Sequence, residues 1–244
     1  MVNRTSTGLF YWEPLAPSPP CGVREPARVV APLVPLHFRE HLGSLLNVEK
    51  MKVGIEVGVQ AGIFSSAILR RWRCCTAYTL VDAWQPLGAY HDQANVALRG
   101  QETLMRKAIH SLRQYPQVKV CRNLSVACAM QLEDESADFI YLDARHDYLG
   151  LWADLEAYWP KLRRGGIMAG HDYIHASEGD RAAGGAAGND YSINYDGSRD
   201  PYRRAVKGAV DEWFTRCVPR QVVVTYREGN RHSWDVFNSW YVQK

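Results

Sequence analysis

This sequence of 244 residues lacks long apolar runs and an N-terminal targeting pattern. Its uninterrupted apolar stretches are far shorter than the roughly 20 residues that a membrane-spanning helix needs. Residues 1–20 contain no hydrophobic core of a signal peptide. We therefore expect no membrane partner, and we expect a cytoplasmic or other intracellular soluble location.

The sequence also lacks a concentrated charge of either sign. Its 29 Lys+Arg and 26 Asp+Glu residues give a formal net charge of +3, and they are spread along the chain. Proteins that bind nucleic acid usually carry a clustered basic patch. We therefore expect no nucleic-acid partner and a small or localised substrate. The sequence leaves open whether the protein forms a homo-oligomer.

The six cysteines include no CxxC pair, which argues against a zinc or dithiol motif. Several of them fall inside predicted strands and helices, where a small buried thiol is ordinary. We expect all six to be reduced, in keeping with an intracellular protein. They are Cys21, Cys74, Cys75, Cys121, Cys128 and Cys217.

Short β-rich runs alternate with helical patterns over most of the chain. Helices between successive strands imply crossover connections and a mostly parallel sheet that is covered on both faces. Two further runs near the C-terminus, QVVVTYRE and HSWDVFNSWYVQK, predict a final pair that can run antiparallel. The first five predicted strands are KVGIEVGV, AYTLVDAW, QVKVCRNL, ADFIYLDA and GIMAGHDY. The pattern indicates a doubly wound α/β fold with seven strands.

The domain organisation follows from where the structure-breaking residues lie. Residues 1–36 are rich in proline early on and predict an extended N-terminal arm without a core of its own. Residues 37–244 predict a single domain. Within it, a glycine-rich insertion near 174–204 is longer than most connections in compact domains, and such insertions often act as lids over substrates. The alternative is a surface loop without this role.

A glycine turn follows the first predicted strand. Glu56, Gly58 and Gly62 form the pattern E-x-G-x-x-x-G. Ligands of open parallel sheets bind beyond the carboxyl ends of the strands, and glycine lets the backbone approach them closely. This spacing differs from the G-x-G-x-x-G of dinucleotide sites and favours a ligand without a pyrophosphate. Asp82 ends the second strand, where a carboxylate can accept hydrogen bonds from ribose hydroxyls.

Polar residues also end the fourth and fifth predicted strands. Asp143 closes the fourth strand, His146 follows three residues later, and His171 and Asp172 close the fifth. Neighbouring strands lie about 4.8 Å apart, so their ends can converge on one ion. Carboxylates suit Mg²⁺, whereas a histidine-rich set suits Mn²⁺, Fe²⁺ or Zn²⁺ equally well. In the structural alternative, His171 caps the core by bonding a backbone carbonyl.

From about Val53 to the C-terminus, the chain resembles the class I S-adenosylmethionine-dependent methyltransferases. The glycine pattern, the acid that ends the second strand and the antiparallel final pair carry this resemblance. It implies a Rossmann-like fold in which Gly58 and Gly62 border the methionine moiety of the cofactor. It also implies that Ser65 touches the methionine carboxylate and that Asp82 holds the ribose.

The resemblance places the adenine of S-adenosylmethionine near Asn123–Ser125. Leu124 stands where many relatives have an aspartate, which is a departure from the family pattern. Together with Glu56 and Asp143, Ser125 completes the predicted set of cofactor-binding residues.

The D-x-x-H pattern and the GHDY segment resemble a subgroup that includes metal-dependent O-methyltransferases acting on sugar hydroxyls of macrolide antibiotics. This resemblance implies that Asp143 and Asp172 bind a divalent cation, with Mg²⁺ as the first candidate. It implies that His146 is the base that takes the substrate proton, with Asp143 beside it in the catalytic centre. His171 stands where those enzymes have an acid, and we include it as a third predicted ligand.

These observations predict an S-adenosylmethionine-dependent methyltransferase that methylates a hydroxyl of a small molecule or sugar. One alternative is a metal-independent methyltransferase that acts on an amine or a carboxylate. A second is a protein that binds S-adenosylmethionine without catalysis, which the set of Asp143, His146 and Asp172 argues against. The glycine spacing disfavours a nicotinamide-dependent oxidoreductase.

Overall fold

The computed structural model describes residues 2–4, 10–12, 18–26, 33–182, 189–226 and 237–244. In these parts of the chain the strands are β1 Val2–Arg4, β2 Phe10–Trp12, β3 Val53–Val57, β4 Ala77–Val81, β5 Val118–Cys121, β6 Ala137–Leu142, β7 Leu162–Gly170, β8 Val223–Val224 and β9 Trp240–Gln243. The helices are α1 His41–Val48, α2 Ile63–Leu69, α3 Leu98–Leu112, α4 Ser125–Ala129, α5 Tyr148–Tyr158, α6 Ala176–Ala182 and α7 Ala205–Arg216. None of the described helices is both long and apolar enough to cross a membrane.

The main sheet has seven strands in the order β5-β4-β3-β6-β7-β9-β8. Strands β3 to β7 pair in parallel, and β9 runs antiparallel to both β7 and β8. This arrangement confirms the predicted Rossmann-like α/β fold with an antiparallel last strand. Strand β8 is shorter than the QVVVTYRE pattern predicts, and residues 232–236 of the final predicted strand lie outside the described residues.

The strand order reverses at β3, which has β4 on one side and β6 on the other. Val57 of β3 pairs with Leu142 of β6, and Leu142 pairs with Gly170 of β7. The residues that follow these three therefore emerge at the same edge of the sheet. A reversal of this kind leaves a crevice at the carboxyl ends, where ligands of such sheets bind.

Two hydrophobic cores cover the two faces of the sheet. Along β6, Ile140 and Leu142 pack into one core, and Phe139 and Tyr141 pack into the other. Successive side chains of a strand point to opposite faces, so a strand buried on both sides is mostly apolar. This explains the apolar run FIYL within ADFIYLDA, and it fixes Asp143 at the end of a rigid strand.

The residues of the predicted arm contain an antiparallel pair of short strands, β1 and β2, with Asn3 opposite Tyr11. Further along, the Glu25 backbone N–H donates to the Cys217 carbonyl at 3.0 Å, and the Glu25 carboxylate pairs with Arg220 at 2.6 Å. The arm thus contacts the segment after α7. The boundary between an arm and a domain at residue 36 stays a prediction.

The prediction that all six cysteines are reduced is wrong for four of them. Cys21 is bonded to Cys217, and Cys121 is bonded to Cys128. The first pair is separated by 196 residues and is brought together only by the fold, so no local spacing could reveal it. Cys74 and Cys75 are free thiols. Disulfides are typical of oxidising compartments, so the cysteines no longer support an intracellular location.

The insertion is partly regular. Helix α6 begins it, and Asn194 then donates its backbone N–H to the Ser198 carbonyl at 2.8 Å in a compact turn. Tyr191 is buried there. The glycine-rich residues 183–188, on which the prediction of a mobile lid depends, lie outside the described residues.

Candidate active site

The glycine turn after β3 is shaped by close packing against the end of β6. Gly58 has a φ of +87°, and a Cβ at this position would lie 2.0 Å from the Asp143 carbonyl oxygen. Gly62 has a φ of +73°, which also favours glycine. The Asp143 backbone N–H donates to the Val57 carbonyl at 2.7 Å, so the turn and the end of β6 form one rigid unit.

Asp82 holds this turn in place. Its carboxylate accepts hydrogen bonds from the backbone N–H groups of Val59 and Gln60, both at 2.9 Å, and of Trp84 at 2.7 Å. An ionised carboxylate offers about four lone-pair sites, so roughly one remains after these three bonds. Asp82 can therefore still accept from one ribose hydroxyl, and its predicted role as a ribose ligand stays a prediction.

Two cavities open beside the turn. The smaller, of about 130 Å³, is lined by Asp82, Asn123 and Ser125, which are the residues predicted to hold ribose and adenine. The larger, of about 360 Å³, is lined on one side by Glu56 and on the other by the residues that end β6 and β7. Both cavities are bordered by Gly58, Gln60 and Asp143. An elongated ligand that occupies both must therefore pass along these shared residues.

Glu56 and Ser65 form a buried pair beneath the turn. Ser65 is fully buried and donates its hydroxyl to Glu56 at 2.6 Å, and Tyr78 donates to the same carboxylate oxygen at 2.8 Å. Burial raises the pKa of Glu56 to about 8, although the two hydrogen bonds lower it. Glu56 lines the larger cavity. The contact of Ser65 with the cofactor stays a prediction, and the structure gives Ser65 a different partner.

Acids and an imidazole converge at the ends of β6 and β7. His146 Nε2 lies 3.4 Å from Asp143 Oδ1 and 3.2 Å from Asp172 Oδ2. One ligand atom from each of these three residues lies within 4.8 Å of the others, which is a spacing that one cation can bridge. The strand ends therefore bring together the residues that the sequence singled out, and their roles stay predictions.

His171 takes a different position from the one expected of a third ligand. Its Nδ1 lies 3.0 Å from Asp172 Oδ1, while the converging group contains His146 in its place. Asp172 itself has a φ of +48°, an uncommon conformation for a residue with a side chain. Backbone strain of this kind costs on the order of 1–3 kcal/mol and clusters at functional sites. The strain supports a functional role for Asp172.

The sequence analysis missed Asp92, which lies between β4 and α3. Its Oδ2 is 3.1 Å from His146 Nδ1, opposite the side that faces Asp143 and Asp172. Tyr90 also reaches Nδ1, at 3.3 Å. The polar segment YHDQAN follows a strand of a parallel sheet, and this position was the sequence feature that could have indicated a site residue.

The three carboxylates control the charge of His146. Burial lowers the pKa of His146, but Asp172, Asp143 and Asp92 together raise it well above its usual value. The pKa of Asp172 is correspondingly low, because His171 and His146 outweigh the effect of burial. The three carboxylates therefore favour the protonated form of His146, which must lose a proton before it can act as a base.

The insertion contacts this cluster. The ring of Tyr191 lies edge-on to His146, with centroids 4.9 Å apart, and its hydroxyl donates to Asp92. The Asp190 backbone N–H donates to the His91 carbonyl at 2.9 Å. Tyr195, which also lies in the insertion, is about half exposed. The insertion thus reaches the site through Tyr191.

Residues 55–173 match the family model described as a methyltransferase domain. This segment contains the glycine turn, Asp82, Asp92, the end of β6 and the GHDY segment. No curated protein sequence matches the chain.

Solved structures share the fold of this chain. An O-methyltransferase from Bacillus cereus in complex with S-adenosylhomocysteine is 15% identical, with a TM-score of 0.55 over 84% of this chain and 80% of that one. The N-methyltransferase NodS from Bradyrhizobium japonicum, in complex with the same compound, is 11% identical, with a TM-score of 0.51 over 84% and 85%. The fold therefore accommodates both oxygen and nitrogen acceptors.

Proposed function

We propose that this protein transfers a methyl group from S-adenosylmethionine to a hydroxyl of a small molecule or sugar, with the help of a divalent cation. The observation that carries the proposal is the junction of the two cavities, where Gly58, Gln60 and Asp143 line both. A cofactor that extends from Asp82 across this junction brings its sulfonium beside the cluster of Asp143, His146 and Asp172.

The chemistry requires an aligned and activated acceptor. The methyl group of a sulfonium is already electrophilic, so the protein must hold the acceptor oxygen in line with the S–CH₃ bond. A hydroxyl also has to lose its proton. His146 is placed for this task, because it lines the larger cavity and Asp92 orients it through Nδ1, while Nε2 lies beside Asp143 and Asp172. A carboxylate can only accept, so we assign the Nδ1 proton to His146.

The residues present fit a divalent cation. Two carboxylate oxygens and one imidazole nitrogen converge, and such donors suit divalent metals. A cation held by Asp143 and Asp172 would stabilise the developing alkoxide. Mg²⁺ is our first candidate if only the carboxylates bind, whereas participation of His146 as a ligand favours Mn²⁺, Fe²⁺ or Zn²⁺.

A thermal-shift experiment tests the cofactor and the cation together. We expect S-adenosylmethionine and S-adenosylhomocysteine, but not NAD, to raise the melting temperature. A ligand at a hundred-fold excess over its Kd stabilises the folded state by roughly 2.7 kcal/mol. Mg²⁺ and Mn²⁺ should add to the shift, and a chelator should remove that addition. Stabilisation by NAD alone would overturn the cofactor assignment.

One observation favours a metal-independent alternative that methylates an amine or a carboxylate. Arg39 Nη1 lies 3.3 Å from Asp143 Oδ2, so Asp143 already has a permanent cation beside it. If a chelator leaves methyl transfer unchanged and added metal has no effect on stability, this alternative replaces the metal-dependent one.

A further inference from the structure

The methionine moiety of the cofactor carries a carboxylate, and that group needs a partner in the larger cavity. Ser65, the residue predicted from resemblance, is fully buried and donates to Glu56. The cavity lining is otherwise rich in acids, which repel a carboxylate. The charged residues of the lining are Arg39, Glu56, Asp92, Asp143, His146, His171 and Asp172.

The two histidines are held within the acidic cluster. His146 has carboxylate oxygens of three residues at 3.1–3.4 Å, and His171 has Asp172 at 3.0 Å. Any positive charge that they carry is therefore balanced locally, on the side of the cavity where β6 and β7 end. A carboxylate placed there would stand among three acids.

Arg39 lies next to the glycine turn and contacts the acidic cluster through Asp143. Its side chain is only 11% exposed, and it lines the larger cavity together with Gly58 and Gln60, which also border the smaller cavity. The guanidinium carbon lies 5.3 Å from the centroid of the Phe64 ring, in the first turn of α2. Arg39 is therefore close to the junction through which the cofactor must pass.

The neighbours of Arg39 also keep its guanidinium in a fixed orientation. Nη1 donates to Asp143 Oδ2 at 3.3 Å and to the Tyr141 hydroxyl at 3.4 Å, while Phe64 supports the guanidinium plane. A guanidinium is charged at any physiological pH, and its planar fork matches a carboxylate. Groups that are ordered before binding lose less entropy when the ligand arrives.

We propose that the Arg39 guanidinium binds the α-carboxylate of the methionine moiety, at the end of the larger cavity bordered by Gly58, Gln60 and Phe64. This assignment rests on the proposed function. It gives the chain a cofactor contact that precedes α1 and lies outside the matched methyltransferase domain at residues 55–173.

The test compares two ligands that differ in the amino-acid part. S-Adenosylhomocysteine carries the carboxylate, whereas 5′-methylthioadenosine retains the adenosine and the sulfur but lacks the amino-acid group. Their Kd values are measured by isothermal titration calorimetry for the wild type, Arg39→Gln and Arg39→Lys. Arg106→Gln serves as the matched control, because Arg106 is 75% exposed on α3.

We expect Arg39→Gln to weaken the binding of S-adenosylhomocysteine by about 10- to 100-fold, the range for a lost charged hydrogen bond. Binding of 5′-methylthioadenosine should stay within about two-fold, which also shows that the variant is folded. The Kd of Arg39→Lys for S-adenosylhomocysteine should fall between those of the wild type and Arg39→Gln, since lysine keeps the positive charge but not the planar pair of donors. Arg106→Gln should bind both compounds like the wild type.

Other results overturn the assignment. If Arg39→Gln binds S-adenosylhomocysteine as tightly as the wild type, or weakens both compounds equally, Arg39 does not bind the carboxylate. If the wild type binds neither compound, the proposed function fails first and this assignment fails with it. The two failures are therefore distinguishable in one set of titrations.

Discussion

A buried acid beneath the predicted adenine site gives the sharpest stability prediction. Asp154 of α5 is 2% exposed and accepts a hydrogen bond from Ser125, the residue that begins α4 and lines the smaller cavity. Burial raises the pKa of Asp154 to about 7, and the nearby Asp147 adds to the rise. Asp154 is therefore protonated over much of the acidic range when the protein is folded.

The sign of the pH effect follows from this shift. An acid whose pKa is raised by folding stabilises the folded state below its unfolded pKa, and this contribution is lost as the pH rises through the folded pKa. For Asp154 the loss extends from about pH 4 to about pH 7. A pKa of about 7, against 3.8 in an ordinary aspartate, corresponds to about 4 kcal/mol at pH 8. Asp154→Asn removes the ionisation while keeping an acceptor for Ser125.

We expect Asp154→Asn to match the wild type in stability near pH 4 and to exceed it increasingly up to pH 8. For a chain of this size, about 4 kcal/mol corresponds to a rise in melting temperature of about 10 °C. Scanning calorimetry between pH 4 and pH 8 measures the effect. Asp134→Asn is the control, because Asp134 is 68% exposed. An Asp154→Asn variant that is no more stable than the wild type at pH 8 would refute the reasoning.

Three further predictions follow from other contacts. Asp138 has a pKa shift of the opposite sign to that of Asp154. Burial raises the pKa of Asp138, but hydrogen bonds from two backbone N–H groups and from Arg163 outweigh burial and lower it below the usual value. Asp138→Asn should therefore cost about 1–3 kcal/mol at pH 7, and the deficit should shrink as calorimetry is repeated towards pH 3. Gly58→Ala should destabilise the protein by more than about 2 kcal/mol in chemical denaturation, since it adds left-handed strain to a clash with the Asp143 carbonyl. A neutral effect would contradict the observed turn. His146→Ala should retain S-adenosylhomocysteine binding in calorimetry and lose about 10²–10⁴-fold in methyl transfer. Normal turnover would remove His146 from the mechanism.

The sheet was predictable because its signal is local and repeated. The central strands carry apolar runs, such as FIYL in ADFIYLDA, that pack into both cores, and a helix pattern separates each strand from the next. The last two strands were less predictable. Strand β8 retains only Val223–Val224, at an edge of the sheet where few partners favour a longer strand.

The candidate site also contains some residues that were predictable from the sequence and some that were not. Asp143 and Asp172 were predictable as neighbours, because the ends of adjacent parallel strands share one edge of the sheet. Asp92, Tyr191 and Arg39 reach the cluster from three connections distant in sequence, where neither periodicity nor a motif marks a side chain as inward-facing. The bond between Cys21 and Cys217 was hidden for the same reason.

In the GHDY segment, the sequence alone does not show which residue serves packing and which serves the site. Gly170 is needed for packing, since a Cβ there would lie 2.6 Å from the Leu142 carbonyl oxygen and 2.7 Å from the Trp240 ring. That close approach brings β7 against both β6 and β9, and the chain then turns sharply through the left-handed Asp172. The turn directs the Asp172 carboxylate towards His146, at 3.2 Å. Gly170 and Asp172 therefore act together, because the tight strand packing that the glycine allows positions the carboxylate of the site.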